Sequence, residues 1–513
     1  MEKSYRSNYI QIYLWKTLSV FVGFVSFFVV VPFLTSNPQL YGIYSFCVSF
    51  QLYLSYADIG FLSAGQKYAA EAYAKGDQLE ERRILGFVGA VLLGMVLPFS
   101  ILMIVFAIHP DWVINGVEEN NLPLITYLFF IMAVVTPLQV ILQRLTQSIL
   151  IIRVRDFISS RIDVIGSILK ILSVFVFFTG GRYMIVPYFL FLNIVTIGCS
   201  LVTLHIIKRE ENYDIVDFIK SIKFSRNYFD LMKKLSFASL GATISWVICY
   251  ELDLIYIGKL FSVEEVALYA VCFTIINFIR QFFNIIYGPY SQRYNHFVAL
   301  RQNQEMSKLL SNVIHYTFPM CIFVCSVMCF SSKYFILHWV GTDYTDSILI
   351  LAVLSWYYVF HFVSQPAAHV CISTERLGII NLASILCPIA FIGSFLLMYV
   401  SGVGTISFAI SKILMMIVST VVYYGGIRNW VNVWKSIRSF IPLILVLAVM
   451  AYVSQFIYPI VFPDLQKSSV GLMKLVLIMG GWGFVFVFCM LLLDRSLCSL
   501  LVRKTNIWEK LHL

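Results

Sequence analysis

Tyr250-Glu251-Leu252-Asp253-Leu254-Ile255-Tyr256-Ile257-Gly258-Lys259, followed by Leu268-Tyr269 and a polar-striped segment through Arg280, puts charge inside residues otherwise apolar enough for a bilayer. The same stretch opens the second of two copies of one unit. Tyr44-Ser45-Phe46-Cys47 aligns with Tyr269-Ala270-Val271-Cys272 at an offset of 225. One insertion later, Gln66-Lys67-Tyr68, Lys75, Asp77-Gln78 and Arg82 fall on Gln292-Arg293-Tyr294, Arg301, Asn303-Gln304 and Lys308 at an offset of 226. A helix and its basic loop recurring at nearly constant offset read as a duplicated membrane unit.

Composition agrees. Of 513 residues, 60% are hydrophobic, 16% aromatic and 12% charged, with a mean hydropathy of +0.84. A soluble domain carries about twice that share of charge, so most of this chain must lie in lipid. The net charge of +10 sits in short loops between apolar runs, where orientation in the bilayer explains it better than nucleic-acid binding. Lys3, Arg6 and Lys16 precede an apolar run to about Leu34. That run is too long for a signal-peptide core and reads as a retained first helix. Cys321, Cys325 and Cys329 share a helical face, but three thiols without further ligands read as small-residue packing rather than a metal site. No cofactor is expected.

Windows of about 20 apolar residues give fourteen expected spans, near 11–34, 41–62, 84–108, 122–148, 162–179, 184–206, 235–258, 266–290, 309–332, 346–372, 377–400, 405–424, 439–459 and 470–493. Barrel-type alternation is absent, and in lipid every backbone group needs an internal partner, so the spans are helices. The expected class is an all-α membrane protein: two six-helix lobes as parallel repeats, plus two C-terminal helices. The lobes are 1–206 and 235–424, joined by a cytoplasmic loop, 207–234, and followed by 425–513. Basic residues cluster on one side, among them Lys67, Lys75, Arg82, Arg83, Arg153, Arg155, Lys220, Lys223, Arg293, Arg301, Arg376 and Arg428. The other side holds Arg182, Lys259, Lys333, Lys467 and Lys474. This asymmetry places both termini in the cytoplasm.

Polar residues at membrane depth are the candidate site. Arg280 falls near the middle of its span, where a charge facing lipid costs about 2.5–3.5 kcal/mol or more. Thr274, Asn277, Gln281, Asn284 and Gly288 share its helix at the three-and-four spacing of one face. Such a face lines water or substrate, or else joins helices by hydrogen bonds. In the seventh span Ser236, Ser239, Thr243, Trp246, Tyr250 and Asp253 fall on one side, with Glu251 about 200° away from Asp253 at 100° per residue. Asp253 is then a cavity or ion-coupling residue, or pairs with a cation such as Arg280; Glu251 pairs with a neighbouring helix or nears the surface. Asp163, Ser167 and Lys170 align in the fifth span, and Ser411 and Lys412 sit at mid-depth in the twelfth. Gln51, Ser55 and Asp58 share a face of the second span, and Thr136, Gln139, Gln143 and Gln147 one of the fourth. Tyr358, His361, Gln365 and His369 do so in the tenth. The cavity candidates are Arg280, Lys412, Lys170, Asn277, Gln281, Asn284, Tyr250, Trp246, Gln139 and Gln143; the ion-coupling candidates are Asp253, Asp58 and Glu251.

No Gly-x-x-x-x-Gly-Lys-Ser/Thr, His-Glu-x-x-His or Gly-x-Ser-x-Gly sequence occurs, so neither a nucleotide motor nor those hydrolytic centres are expected. Movement must draw on an ion gradient, the membrane potential or the substrate's own gradient.

Leu40-Tyr41-Gly42-Ile43-Tyr44, then Asp58-Ile59-Gly60-Phe61, with Asp253-Leu254-Ile255-Tyr256-Ile257-Gly258-Lys259 and Leu268-Tyr269 in the second copy, resembles the polysaccharide transporter family of the multidrug/oligosaccharidyl-lipid/polysaccharide exporter (MOP) superfamily. Wzx-type O-antigen or repeat-unit flippases are its most similar members. In the second copy Ala267 stands where the first has Gly42. The resemblance implies turnover of undecaprenyl-diphosphate-linked oligosaccharides to the outer leaflet of the bacterial inner membrane, by alternating access around a central cavity. It also implies no enzymatic step, and a polysaccharide polymerase and chain-length machinery as partners. An anionic diphosphate and a glycan suit Arg280, Lys170 and Lys412 beside amides and aromatics. A multidrug-type cation antiporter and a lipid II flippase are the alternatives; the first would favour buried carboxylates and aromatics over buried cations.

Overall fold

The computed structural model describes residues 2–56, 60–238, 240–428 and 441–493; the candidates Asp58 and Ser239 lie outside them. Its regular elements are all helical among the described residues. Eleven helices there are long and apolar enough to cross a membrane. The other three expected spans are also helical, but differ. The second is α2 (Pro38–Tyr56), diluted by Gln39, Gln51 and its serines and tyrosines, and the fifth is α6 (Phe157–Phe177), which carries Arg161, Asp163 and Lys170. The seventh is not one uninterrupted helix, as described below.

The chain divides into two compact units, Met1–Ala270 and Val271–Leu513. In the first, α1 (Glu2–Leu34) packs on α6. α3 (Phe61–Ala74) and α5 (Leu122–Ile152) both pack on α4 (Gln78–Ile108), and α7 (Ile185–Glu210) covers α5 and α6. Local chemistry sets the starts. Pro38 opens α2, where its missing N–H costs nothing, and Asp77 caps α4 by accepting from the Glu80 N–H at 2.9 Å. The second unit begins within α12 (Val263–Ala299) and continues through α13 (Asn303–Trp339), α14 (Ser347–Ser373), α15 (Leu377–Val400) and α16 (Ile406–Ile427). It ends with α17 (Ile441–Val461) and α18 (Ser469–Leu493), which pack on α13.

Each unit repeats the same pairings. α4 on α5, α5 on α7 and α6 on α7 recur as α13 on α14, α14 on α16 and α15 on α16. The corners recur too. Gly76 and Arg301, each ahead of one long helix, and Val154 and Glu375, each at the next hairpin corner, all have φ between 53° and 80°. In every case the following N–H reaches back five residues: Asp77 to Ala72, Gln302 to Phe297, Arg155 to Leu150 and Arg376 to Cys371, at 2.9–3.0 Å. These are left-handed helix caps of the Schellman type. Arg155 and Arg376 then do the same job in each copy, tying the corner to the end of the third helix: Arg155 to Glu210 and Glu211, Arg376 to the Gly426 carbonyl.

The segment 207–234 is built into the first unit rather than strung outside it. α8 (Ile215–Lys220) packs on α4, and α9 (Arg226–Ala238) on α3. Ile207, Tyr213, Phe218 and Met232 are buried with Ile84, Leu85, Phe87 and Ile149. Gly86 makes the approach possible, because a Cβ there would run into the Ser221 hydroxyl and carbonyl. Beneath this layer Glu81, fully buried, holds Arg153 in a two-pronged pair at 2.7 and 2.9 Å, with Tyr73 and Tyr213 rings against the guanidinium at 4.7 and 5.1 Å. With α11 and the start of α12 also packed on α2, the contact border falls inside α12, C-terminal to the expected lobe border.

Candidate functional site

The stretch that opens the second sequence copy is helical with a defect. α10 (Leu240–Trp246) runs into a π turn, Val247–Glu251, before α11 (Asp253–Leu260). In a regular α-helix positions five apart stand about 140° apart. A π turn closes i to i+5 and brings them together. The Trp246 indole N–H therefore reaches the Glu251 carboxylate at 3.1 Å, which also accepts from the Tyr56 hydroxyl of α2 at 3.0 Å. Trp246 stacks on Tyr250 with ring centroids 3.8 Å apart. The expected face is thus corrected: Trp246 belongs with Glu251, not with Asp253, because the extra residue breaks the 100° periodicity. The two carboxylates have different hydrogen-bond partners, although both lie near the Tyr53 hydroxyl. Asp253, 1% exposed, accepts from the Tyr269 hydroxyl at 2.6 Å.

The two motif glycines here have steric work. A Cβ on Gly42 would collide with the Val263 carbonyl, and one on Gly258 with the Phe46 ring. Asn115 fastens the end of α11 by its N–H to the Gly258 carbonyl at 2.9 Å.

Still in the first unit, the amide stripe of α5 lines a cavity of about 350 Å³, with Gln51, Thr136, Gln139, Gln143, Arg144 and Gln147 on its walls. Gln139 donates to Gln143 at 3.1 Å, and Gln51 to Thr136 at 3.2 Å; Thr136 in turn donates to Asn193 of α7 at 3.0 Å. Gln147 bonds to Asp163 of α6, whose carboxylate acts on Lys170. Lys170 itself faces α7, donating to Thr196 at 2.6 Å, so it supports this wall from behind. Arg144 is the residue the sequence reading passed over. The signal was there: it lies eight residues after Thr136, on the same stripe and inside an apolar run.

In the second unit Lys412 of α16 is 1% exposed, and its ammonium lies 5.6 Å from the ring centroids of both Phe273 on α12 and Tyr357 on α14. Desolvated cation–π contacts of this kind are worth about 2 kcal/mol or more, which offsets much of the cost of a lysine at depth. Arg280 and Lys412 both lie close enough to His361 to act on it electrostatically. His361 contacts the Gln365 amide at 3.1 Å, and Gln365 donates to Asn284 at 3.5 Å. Asn277 shares the α12 face, its buried carbonyl oxygen without a hydrogen-bond partner among the described residues. Gln281 is exposed. The structure thus gathers Arg280, Lys412, Asn284 and His361 into one polar neighbourhood of α12, α14 and α16.

Among the described residues no three His, Cys, Asp or Glu side chains converge as metal ligands. Cys321 lies 3.8 Å from the Tyr287 hydroxyl, and Cys329 lines an apolar cavity of about 260 Å³ with Ile322, Trp356 and Leu447.

Fold and side-chain inventory define a multi-span, all-helical membrane protein with the fold of MOP superfamily transporters. A solved structure of the lipid II flippase MurJ, in an inward-closed conformation, matches with a TM-score of 0.66 at 14% identity, over 95% of this chain and 99% of that one. An inward-facing multidrug resistance MATE family transporter matches with a TM-score of 0.64 at 11% identity, over 81% and 93%. A MOP superfamily transporter from Pyrococcus furiosus, described as having a binding pocket of reverse polarity, gives 0.51 at 11% identity, over 82% and 93%. No protein-family profile and no curated sequence matches the chain.

Proposed function

We propose that the chain is a flippase, moving a polyprenyl-diphosphate-linked oligosaccharide between membrane leaflets by alternating access and without chemical conversion. Undecaprenyl-diphosphate-linked repeat units for O-antigen, capsule or exopolysaccharide are the substrate class. The observation that carries the reading is the pairing of chemistries. Amides and Arg144 line a cavity in the first unit, and in the second a buried Lys412 and a half-buried Arg280 both act on His361. Glycan hydroxyls need donors and acceptors together, which amides supply, and a diphosphate needs cations whose desolvation is already met. The prenyl tail has no such need and stays in lipid. A cation exporter would reverse this charge, although Glu251 and Asp253 remain as ion-coupling candidates.

Lipid II is the second substrate reading, favoured by one observation: similarity to the MurJ structure extends over 95% of this chain, against 81% for the multidrug transporter. Both readings share a diphosphate and a glycan. Arg280→Ala in the native host should accumulate lipid-linked repeat units on the cytoplasmic side and strip surface polysaccharide, with partial rescue by Arg280→Lys. Full surface polysaccharide in the alanine strain sinks the assignment of Arg280. Survival of a host depleted of its own lipid II flippase when this chain is supplied would select lipid II.

A further inference from the structure

Outside the substrate chemistry, the docked segment 207–234 forms a second cavity, of about 290 Å³, against the first turns of α4. Arg83, Lys220 and Lys223 stand on its walls with the hydroxyl-bearing Ser225 and Tyr228. One carboxylate, Asp217, also lines it, but the Arg82 guanidinium holds that oxygen at 2.7 Å. Glu80 nearby takes the Tyr228 hydroxyl at 2.8 Å. Arg82 thus balances Asp217, whereas Glu80, bonded to a neutral hydroxyl, keeps its charge; the three wall cations outnumber it and leave a positive balance. Beside it, Val216, Ile219 and Phe224 are 61%, 60% and 67% exposed, the first two on one face of α8. In water such exposed apolar side chains are a liability. Their position resolves the conflict. Arg83 immediately precedes Ile84, where the unbroken apolar run of α4 begins, which puts this layer at the level where bilayer headgroups lie.

We propose that this cavity is a binding site for an anionic glycerophospholipid of the surrounding membrane, its phosphate held by Arg83, Lys220 and Lys223 and its acyl chains lying along Val216, Ile219 and Phe224. Apolar side chains that dip below the headgroups beside basic ones that stay at them are the chemistry of anionic-leaflet recognition. The site is separate from the α5 cavity and independent of which glycan is carried.

The test uses the full chain, delipidated in detergent and titrated with phosphatidylglycerol or phosphatidylcholine of identical acyl chains, with bound lipid counted by native mass spectrometry. Phosphatidylglycerol should be retained on the order of tenfold to a hundredfold more tightly than phosphatidylcholine. Arg83→Ala/Lys220→Ala/Lys223→Ala should abolish that preference, and Arg83→Lys/Lys220→Arg/Lys223→Arg should keep it. All three positions are exposed, and unchanged helicity of the alanine triple variant controls for folding. Equal retention of the two lipids, or a preference that survives the alanine variant, overturns the proposal. Displacement of phosphatidylglycerol by millimolar inorganic phosphate would reassign the cavity to a soluble phosphate and overturn it as well.

Discussion

Val154 and Glu375 hold backbone conformations that side chains, above all β-branched ones, rarely adopt, with φ of 54° and 53°. A left-handed position costs a non-glycine residue roughly 1 kcal/mol. Val154→Gly should therefore raise the thermal midpoint of the purified protein slightly, read by a fluorescence melt; a lower midpoint would mean that the valine packs more than it strains. The Glu81–Arg153 pair behaves in the opposite sense. Removing one partner of a fully buried pair leaves the other charge stranded, at a cost of about 3–5 kcal/mol. Arg153→Ala should sharply reduce folded yield, whereas the surface change Lys308→Ala, at an exposed pair with Glu305, should leave it unaltered. None of these roles was legible from one sequence. Arg153 and Arg155 read as loop charges that set orientation, because a sequence shows that a cation is near a membrane end but not which carboxylate waits for it. That Arg280, Lys412, Gln139 and Gln143 fall inside membrane-length helices was legible, since an ionisable or amide group stands out in an apolar run.

At the scale of elements, helix positions could be read and helix imperfections could not. The 100° wheel misplaced Trp246 relative to Glu251 because nothing in Val247-Ile248-Cys249-Tyr250 announces a π turn. Deleting Ile248 should convert the turn to regular helix, in which Trp246 and Glu251 stand four positions apart on one face and keep their contact, while the surplus residue is gone. If the surplus residue serves the proposed flipping, the variant should still insert and purify but lose most of that activity; activity at the wild-type rate would show that the defect serves packing alone. Gly86→Ala should act on a different joint. Because the added methyl meets Ser221 main chain as well as its hydroxyl, α8 should lift off α4, and limited proteolysis should cut within 211–226 where the native protein resists. The docking of this segment was also invisible in advance. A polar, charged connection between two copies reads as a linker until Tyr213, Phe218 and Met232 are seen to be buried.

At the scale of the whole molecule, duplication was the most legible property, since two matched strings at offsets of 225 and 226 survive where single motifs fade. The recurring corners and helix pairings extend it to parts where few residue identities remain, Arg155 and Arg376 among them. Topology is the corresponding prediction. A single reporter thiol at Lys220→Cys, in an otherwise cysteine-free background, should react with a membrane-impermeant maleimide only after the cells are opened, and one at Arg182→Cys should react in intact cells. Labelling of Lys220→Cys in intact cells, with Arg182→Cys protected until they are opened, would reverse the expected orientation.

The Schellman corners have a mechanical corollary. Where Arg155 and Arg376 bolt a hairpin to the helix that follows, the joint is stiff, and any change of shape has to be taken up elsewhere. A π turn is a stored loop of slack: one surplus residue that can be taken up or paid out without breaking the flanking hydrogen bonds. Between α10 and α11 that slack sits beside Glu251 and two residues ahead of Asp253, so any motion that draws it in also regrips both carboxylates. Protonation or ion capture there would then act on the chain like a ratchet pawl on its wheel.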